Sequence, residues 1–268
     1  MLAIIILAII QGIAEFLPIS SSFHLIIFRD VFFLGKDVIT ENIELSFDIA
    51  LHFGTSLAIF IYFVKDFWEM CVNGFSNGIK DNGGKMMWYV IVATIPAAIV
   101  GVLFEDVIDD VIRTKYFLIT LAFVVMGVLI YWLDTSMNQK KSLKTMNYTD
   151  AIIIGFSQIF ALIPGFSRSG TTIAVARLLK FNREDAAKFS FYLAEPVIIG
   201  AVIIQLFKTD MSIVIDNISV FVVGIIVSFV TGVLCIKLLL KYLRNNDFKI
   251  FMWYRLTLGA IVLLYLFF

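Results

Sequence analysis

Residues 218–240 run for twenty-three positions with Lys237 as their only charge. A hydrocarbon layer of about 30 Å offers no water to backbone N–H and C=O groups, so such a run must satisfy itself as a helix. Comparable runs cover 45–64, 86–104, 116–133, 189–207 and 250–268. Composition agrees: 60% of the 268 residues are hydrophobic and 16% charged, against about half and a quarter in soluble domains. The expected fold class is an all-α polytopic membrane protein. A formal net charge of zero gives no reason to expect a nucleic acid partner. Cys71 and Cys235 stand far apart and are expected to be apolar filler rather than a disulfide or metal site. The chain opens on apolar residues without a basic leader or small-residue cleavage site, so its start is read as part of the fold.

Two shorter pairs of runs interrupt this pattern. Residues 2–17 stop at Pro18 and 23–34 follow at once; 150–163 stop at Pro164, with 171–179 behind them. Each is shorter than the ~20 residues a crossing needs, so each pair is expected to be re-entrant, with its polar turn deep in the protein. Every half then holds one re-entrant pair plus three transmembrane helices. Three is odd, so the second half inserts upside down: an inverted repeat within one integral membrane domain, 1–268, with repeat one at 1–134 and repeat two at 150–268. Superposing Pro18 on Pro164 sets Phe16-Leu17 on Leu162-Ile163, Ser21 on Ser167 and Gly54 on Gly200. Loops 65–85, 134–149, 180–188 and 237–249 hold thirteen Lys and Arg, whereas 29–44, 105–115 and 208–217 hold five. The positive-inside rule puts the first group in the cytoplasm, with Trp68, Trp88, Trp132 and Trp253 at that interface. Both termini and the first hairpin's entry then face outward.

Polar groups at membrane depth are expensive and mark function. Two stretches concentrate them. The first is Gln11-Gly12-Ile13-Ala14-Glu15-Phe16-Leu17-Pro18-Ile19-Ser20-Ser21-Ser22-Phe23-His24; the second is Leu162-Ile163-Pro164-Gly165-Phe166-Ser167-Arg168-Ser169-Gly170-Thr171-Thr172. Gln11 and Glu15, four apart, share a helix face, either as a tie between helices or as part of a site. Ser20, Ser21 and Ser22 exceed what one helix cap requires. His24 is either a satisfied core histidine or, beside a carboxylate and hydroxyls, an acid–base group. Arg168, flanked by Ser167, Ser169, Gly170 and Thr172, presents a planar fork suited to two phosphate oxygens; the alternative is an internal ion pair with Glu15. Gly165 and Gly170 allow backbone N–H groups close to an anion at a helix start. Asp48 and His52 form either a metal or Arg168-orienting pair or a local surface pair. Glu195, beside Pro196, is read as structural or as a metal ligand, and Glu105, Asp106, Asp109 and Asp110 as a solvated outer loop. Both stretches are expected to meet and hold a diphosphate.

QGIAEFLPISSSFH and PGFSRSGTT resemble the two signature motifs of the bacitracin-resistance family of undecaprenyl-diphosphate phosphatases, and FDIALHFGT and FSFYLAEP extend the likeness along the chain. The resemblance implies an enzyme, dependent on Mg2+ or Ca2+, that removes the terminal phosphate of a C55 isoprenoid diphosphate. Its site would face outward from the bacterial plasma membrane and serve recycling of the cell-wall lipid carrier. By position, Gln11 and Glu15 match the motif's E/Q-x-x-x-E pair, Ser21 its proposed nucleophilic serine, His24 its histidine and Arg168 its phosphate-binding arginine. Ser20, Ser167 and Thr172 match further motif positions. Gln11 stands where many members carry glutamate, Phe23 replaces a glycine, and Glu195 takes an apolar position. The metal set expected on this basis is Glu15, with Asp48 and Glu195 as further candidates.

The residues favour phosphoryl transfer in a half-buried pocket, with Ser21 or water attacking and His24 moving a proton. A lipid-carrier flippase using the same anion site is the rival, since interrupted inverted repeats are also a transporter plan; it needs no serine–histidine–glutamate group. The expected partners are the isoprenoid diphosphate and membrane lipids, and a homodimer is compatible with the chain.

Overall fold

Span by span, the helices form where apolar run length dictates. The computed structural model describes residues 1–36, 38–80, 82–104 and 112–268. The acidic residues Glu105, Asp106, Asp109 and Asp110, read above as an outer loop, lie outside them. Helix α1 covers Leu2–Ala14, and after the turn at Pro18 comes α2, Ser21–Ile26, continued by a π-helical turn over Ile27–Val31. Then follow α3 (Glu41–Tyr62), α4 (Val64–Ser76), α5 (Asn82–Leu103) and α6 (Tyr116–Ser136). Helix α7 (Tyr148–Ser157) leads through a 3-10 turn, Phe160–Leu162, to α8 (Arg168–Leu178). The chain closes with α9 (Arg183–Lys208), α10 (Met211–Asp216), α11 (Ile218–Leu243) and α12 (Lys249–Phe267). Among the described residues, α3, α5, α6, α9, α11 and α12 are long and apolar enough to cross a membrane. The protein is an all-α polytopic membrane protein.

Two elements depart from the sequence reading. Residues 65–85 were expected as a loop because Lys65, Asp66 and Glu69 interrupt the apolar run. They hold α4, whose Met70 and Gly74 are buried while Trp68, Val72 and Phe75 are exposed. Its inner face lies on α5 through Gly74 against Met87, and Asp66 accepts a 2.8 Å hydrogen bond from the Tyr192 hydroxyl. The second is α10, a six-residue helix within the loop expected at 208–217.

Helix α11 is the axis on which the first half is mounted, packing mainly on α3 and α1. It offers a row of small residues, Gly224, Ser228 and Gly232, spaced one turn apart, the device by which helices approach closely where lipid supplies no hydrophobic drive. A methyl group on Gly12 of α1 would stand 2.7 Å from Thr231 Cβ and 2.8 Å from the Ser228 carbonyl oxygen. Gly54 of α3 meets the same serine from the other side. On the opposite flank α12 lies along α6, and α8 is held between α6 and α9. The polar turn at residues 15–20 sits where apolar clusters join. Ala14, Phe16 and Ile19 belong to one, Leu25 to a second, and Phe23 and Ile26 to a third.

Candidate active site

Each polar turn ends in a serine forced into the left-handed half of backbone space. Ser20 has φ 67° and Ser167 φ 73°, a conformation costing a non-glycine residue on the order of 1–3 kcal/mol and found mostly at functional sites. Both are N-caps: the Ser20 hydroxyl accepts from the Phe23 N–H at 3.4 Å and that of Ser167 from the Gly170 N–H at 3.1 Å. Four residues on, His24 Nδ1 lies 2.7 Å from the Ser20 carbonyl, and Thr171 Oγ1 donates to the Ser167 carbonyl at 2.8 Å. The turns therefore correspond with Ser20 on Ser167 and Ser21 on Arg168. Aligning the prolines had set Ser21 on Ser167. The second turn carries one residue more between proline and cap, Gly165, whose φ of 99° suits glycine and whose missing side chain leaves room for the Ile119 carbonyl.

The two turns touch. Arg168 Nη2 donates to Glu15 Oε1 at 2.5 Å, and Ser169 Oγ donates to the Leu17 carbonyl at 3.1 Å. Glu15 Oε2 collects the Ser21 hydroxyl at 2.7 Å and the Gln11 amide at 3.0 Å, with His52 Nδ1 3.2 Å away. Beneath them Arg255, fully buried on α12, donates to the Pro18 carbonyl at 2.9 Å, the Gly165 carbonyl at 2.5 Å and the Phe123 carbonyl at 2.7 Å. One guanidinium thus fastens both turns. Its face covers the Phe123 ring at 4.5 Å, and a charged donor leaving any of these carbonyls would strand a buried polar group at about 1–3 kcal/mol each. Sequence reasoning missed Arg255, although it is the one charge between Lys249 and the C-terminus of an apolar span.

A cavity of about 280 Å³ opens above this junction. Glu15, Ser20, Ser21, Ser22, Ser167 and Arg168 line its floor, Asp48, His52 and Arg113 one wall, and Gln158 with apolar residues such as Ala97, Leu162, Val197 and Ala201 the rest. The other residues singled out from sequence lie elsewhere. Gln11, Ser169, Gly170 and Thr172 are buried beneath the floor, and Thr172 Oγ1 is 2.7 Å from the Ser190 hydroxyl and 2.8 Å from the Arg168 carbonyl. They shape the turn rather than face the cavity.

His24 differs most from expectation. Its Nδ1 faces a carbonyl, which can only accept, so Nδ1 carries the proton and Nε2 receives the Tyr254 hydroxyl at 2.6 Å. The ring is buried among Phe23, Phe28 and Phe123, turned away from the cavity. It ties α2 to α12 and is not among the residues that line the cavity.

Fit to a divalent ion was tested on the donor set. Among the described residues no three His, Cys, Asp or Glu side chains converge. Asp48 is taken by Arg29 at 2.7 Å and Arg113 at 3.0 Å. Glu195, away from the cavity lining, accepts from the Ser56 hydroxyl at 3.0 Å and keeps Oε2 without a hydrogen-bond partner among the described residues. Gln11 Oε1 is also buried and unpartnered, on the amide that touches Glu15. A protein-only cage is thus absent from the described residues. Glu15, the carboxylate on the cavity floor, fits the open mode in which magnesium takes one or two carboxylates and completes its shell with substrate phosphate and water.

A family model described as bacitracin resistance protein BacA matches residues 4–261. A protein named undecaprenyl-diphosphatase from Caldicellulosiruptor bescii is 44% identical over 259 residues, covering 97% of this chain and 95% of that protein. Bearers of the same name from Moorella thermoacetica (40% identical, 96% and 95% covered) and Idiomarina loihiensis (42%, 98% of both) match along the same length.

Proposed function

From the premise that the chain belongs to the BacA family of bacitracin resistance proteins, we propose that its cavity is where the terminal phosphate of a lipid diphosphate is transferred. The protein is an enzyme that hydrolyses undecaprenyl diphosphate to undecaprenyl phosphate and inorganic phosphate. What supports this placement is the shared carboxylate, Glu15, which accepts from Ser21 at 2.7 Å and from Arg168 at 2.5 Å on the floor of one cavity.

In the mechanism proposed, Ser21 Oγ attacks the terminal phosphorus as its proton passes to Glu15. The Oγ–P bond forms and the bridging P–O bond breaks, its electron pair leaving with undecaprenyl phosphate. Water then attacks the phosphoserine phosphorus and the Oγ–P bond breaks; Ser21 Oγ leaves with the proton returned from Glu15, and both protons of the water depart on the inorganic phosphate. Arg168 turns from Glu15 to the phosphoryl oxygens, its second nitrogen, Nη1, being held only by a 3.3 Å contact to the Ser190 carbonyl. The N-terminus of α8 adds favourable N–H dipoles. Glu15 would hold a magnesium or calcium ion, which when bound offsets phosphoryl charge. Ser20, Ser22 and Ser167 supply hydroxyls on the floor, and Ser169, Gly170 and Thr172 keep Arg168 aimed. Asp48 and Glu195 are left out of the metal set, the first because two arginines occupy it, the second because it does not line the cavity.

Arg113, on one wall of the cavity, belongs to the side whose loops carry few basic residues. This supports an active site facing outward from the bacterial plasma membrane. Purified protein is expected to release phosphate from undecaprenyl diphosphate, to stop when chelator is added, and to recover with magnesium or calcium. Undiminished release in chelator would remove the ion from the mechanism.

A further inference from the structure

Resting on the reading just given, we infer that the isoprenoid tail leaves the cavity between α5 and α9, over the 3-10 turn Phe160–Leu162, and that Ala97, Ala161 and Ala201 set the width of that exit. A cavity of about 280 Å³ is at the lower limit of a pocket for a drug-sized ligand, so a C55 tail cannot be housed in it. In water the tail would forfeit about 0.8 kcal/mol for every CH2 group left uncovered. It must therefore pass from the floor directly into hydrocarbon, between two helices.

The other walls of the cavity are fastened. Leu25 of α2 is buried in the apolar cluster that α2 shares with α1 and α3, and α3 turns its far side to α11. The seam between α3 and α9 is tied at two levels. Inward, Ser56 donates to Glu195 at 3.0 Å. Outward, Ser46 Oγ lies 2.9 Å from Thr209 Oγ1, and the Gln205 amide donates to both hydroxyls, at 3.3 and 3.1 Å. From Ser46 to Ser56 and from Glu195 to Gln205 is ten residues, about 15 Å of helix. Ile49, Val197, Ile198 and Ala201 line the cavity between those ties.

Across from that seam the wall is built of small residues: Ala97 on α5, Ala161 on the turn and Ala201 on α9. Ala161, Leu162, Val197 and Ala201 are each partly exposed, and Phe160 beside them is 58% exposed, so the apolar wall continues here onto the outer surface. Small residues elsewhere in the fold serve close packing, and a methyl group on Gly12 or Gly54 would collide with α11. Here it would not. One turn beyond Ala97, a methyl on Gly101 would meet only Leu162 Cδ2, at 3.7 Å, and one on Gly200, next to Ala201, nothing within 4 Å among the described residues. Smallness at this place leaves room for a methyl-branched chain instead of drawing helices together.

The test uses Ala201→Phe and Ala161→Phe in the full-length protein, reading KM for undecaprenyl diphosphate beside Ki for methylene diphosphonate, an inhibitor without a tail. Filling the exit is expected to raise KM about tenfold in each variant, while the diphosphonate Ki and Tm hold. Ile261→Phe, an equally bulky change on α12 at a position 51% exposed, is expected to leave KM unchanged. KM unmoved in both exit variants, an equal rise in Ile261→Phe, or KM and diphosphonate Ki rising together would each overturn the exit. Diphosphonate that fails to compete with the unaltered protein would overturn the floor site and the exit with it.

Discussion

Arg168→Lys is expected to lose nearly as much hydrolytic rate as Arg168→Ala, about 100-fold or more in each case. Lysine keeps the charge but presents a single point donor. The guanidinium has two jobs here that need two separate nitrogens: Nη2 is bound to Glu15 at 2.5 Å, while Nη1 reaches toward Ser190. During transfer both edges must follow the phosphoryl oxygens, and only a planar fork holds two of them together. The charge alone would leave the diphosphate attracted but unaligned, and alignment is where much of a phosphoryl-transfer enzyme's advantage resides. Steady-state rates for the two variants, with binding of a non-hydrolysable analogue as control, make the check. A lysine variant retaining most of the rate would reduce Arg168 to a diffuse electrostatic aid.

Ser21→Ala and Glu15→Gln are each expected to cost about 1,000-fold or more in kcat, and the double variant to be no slower than the slower single one. Groups that act as one unit lose their joint contribution once. The 2.7 Å hydrogen bond from Ser21 to Glu15 Oε2 makes them such a unit: without the carboxylate the hydroxyl has no proton acceptor, and without the hydroxyl the carboxylate has nothing to activate. Glu15→Gln additionally deprives Arg168 of its resting partner and should end the response to added magnesium. Losses that multiply in the double variant would show that the two residues act in separate steps.

Much of the architecture was legible because membrane physics leaves few choices. Run length placed α3, α5, α6, α9, α11 and α12 within a few residues, and Pro18 and Pro164 marked the breaks. Helix α4 escaped since its apolar residues recur at helical spacing among Lys65, Asp66 and Glu69, which reads as a polar loop. Proximity of Glu15, Ser21 and Arg168 followed from asking what two costly polar stretches have in common. Direction did not follow. A six-residue helix such as α2 has too few turns for sequence to tell which way His24 points, and the Tyr254 hydroxyl that turns it lies 230 positions away. The single-residue shift between the two turns was hidden for a related reason: prolines align readily, but the cap geometry of Ser20 and Ser167 sets the true register. Arg255 carried a readable signal, a lone charge in a span, whose partners are backbone carbonyls invisible to side-chain pattern.

That both turns act on one phosphoryl group is tested most directly by a structure of the protein with a methylene-bridged analogue of the lipid diphosphate. The terminal phosphonate is expected within hydrogen-bond distance of both Arg168 and Ser21. A phosphonate bound at one turn alone, or outside the cavity floor, would contradict the account.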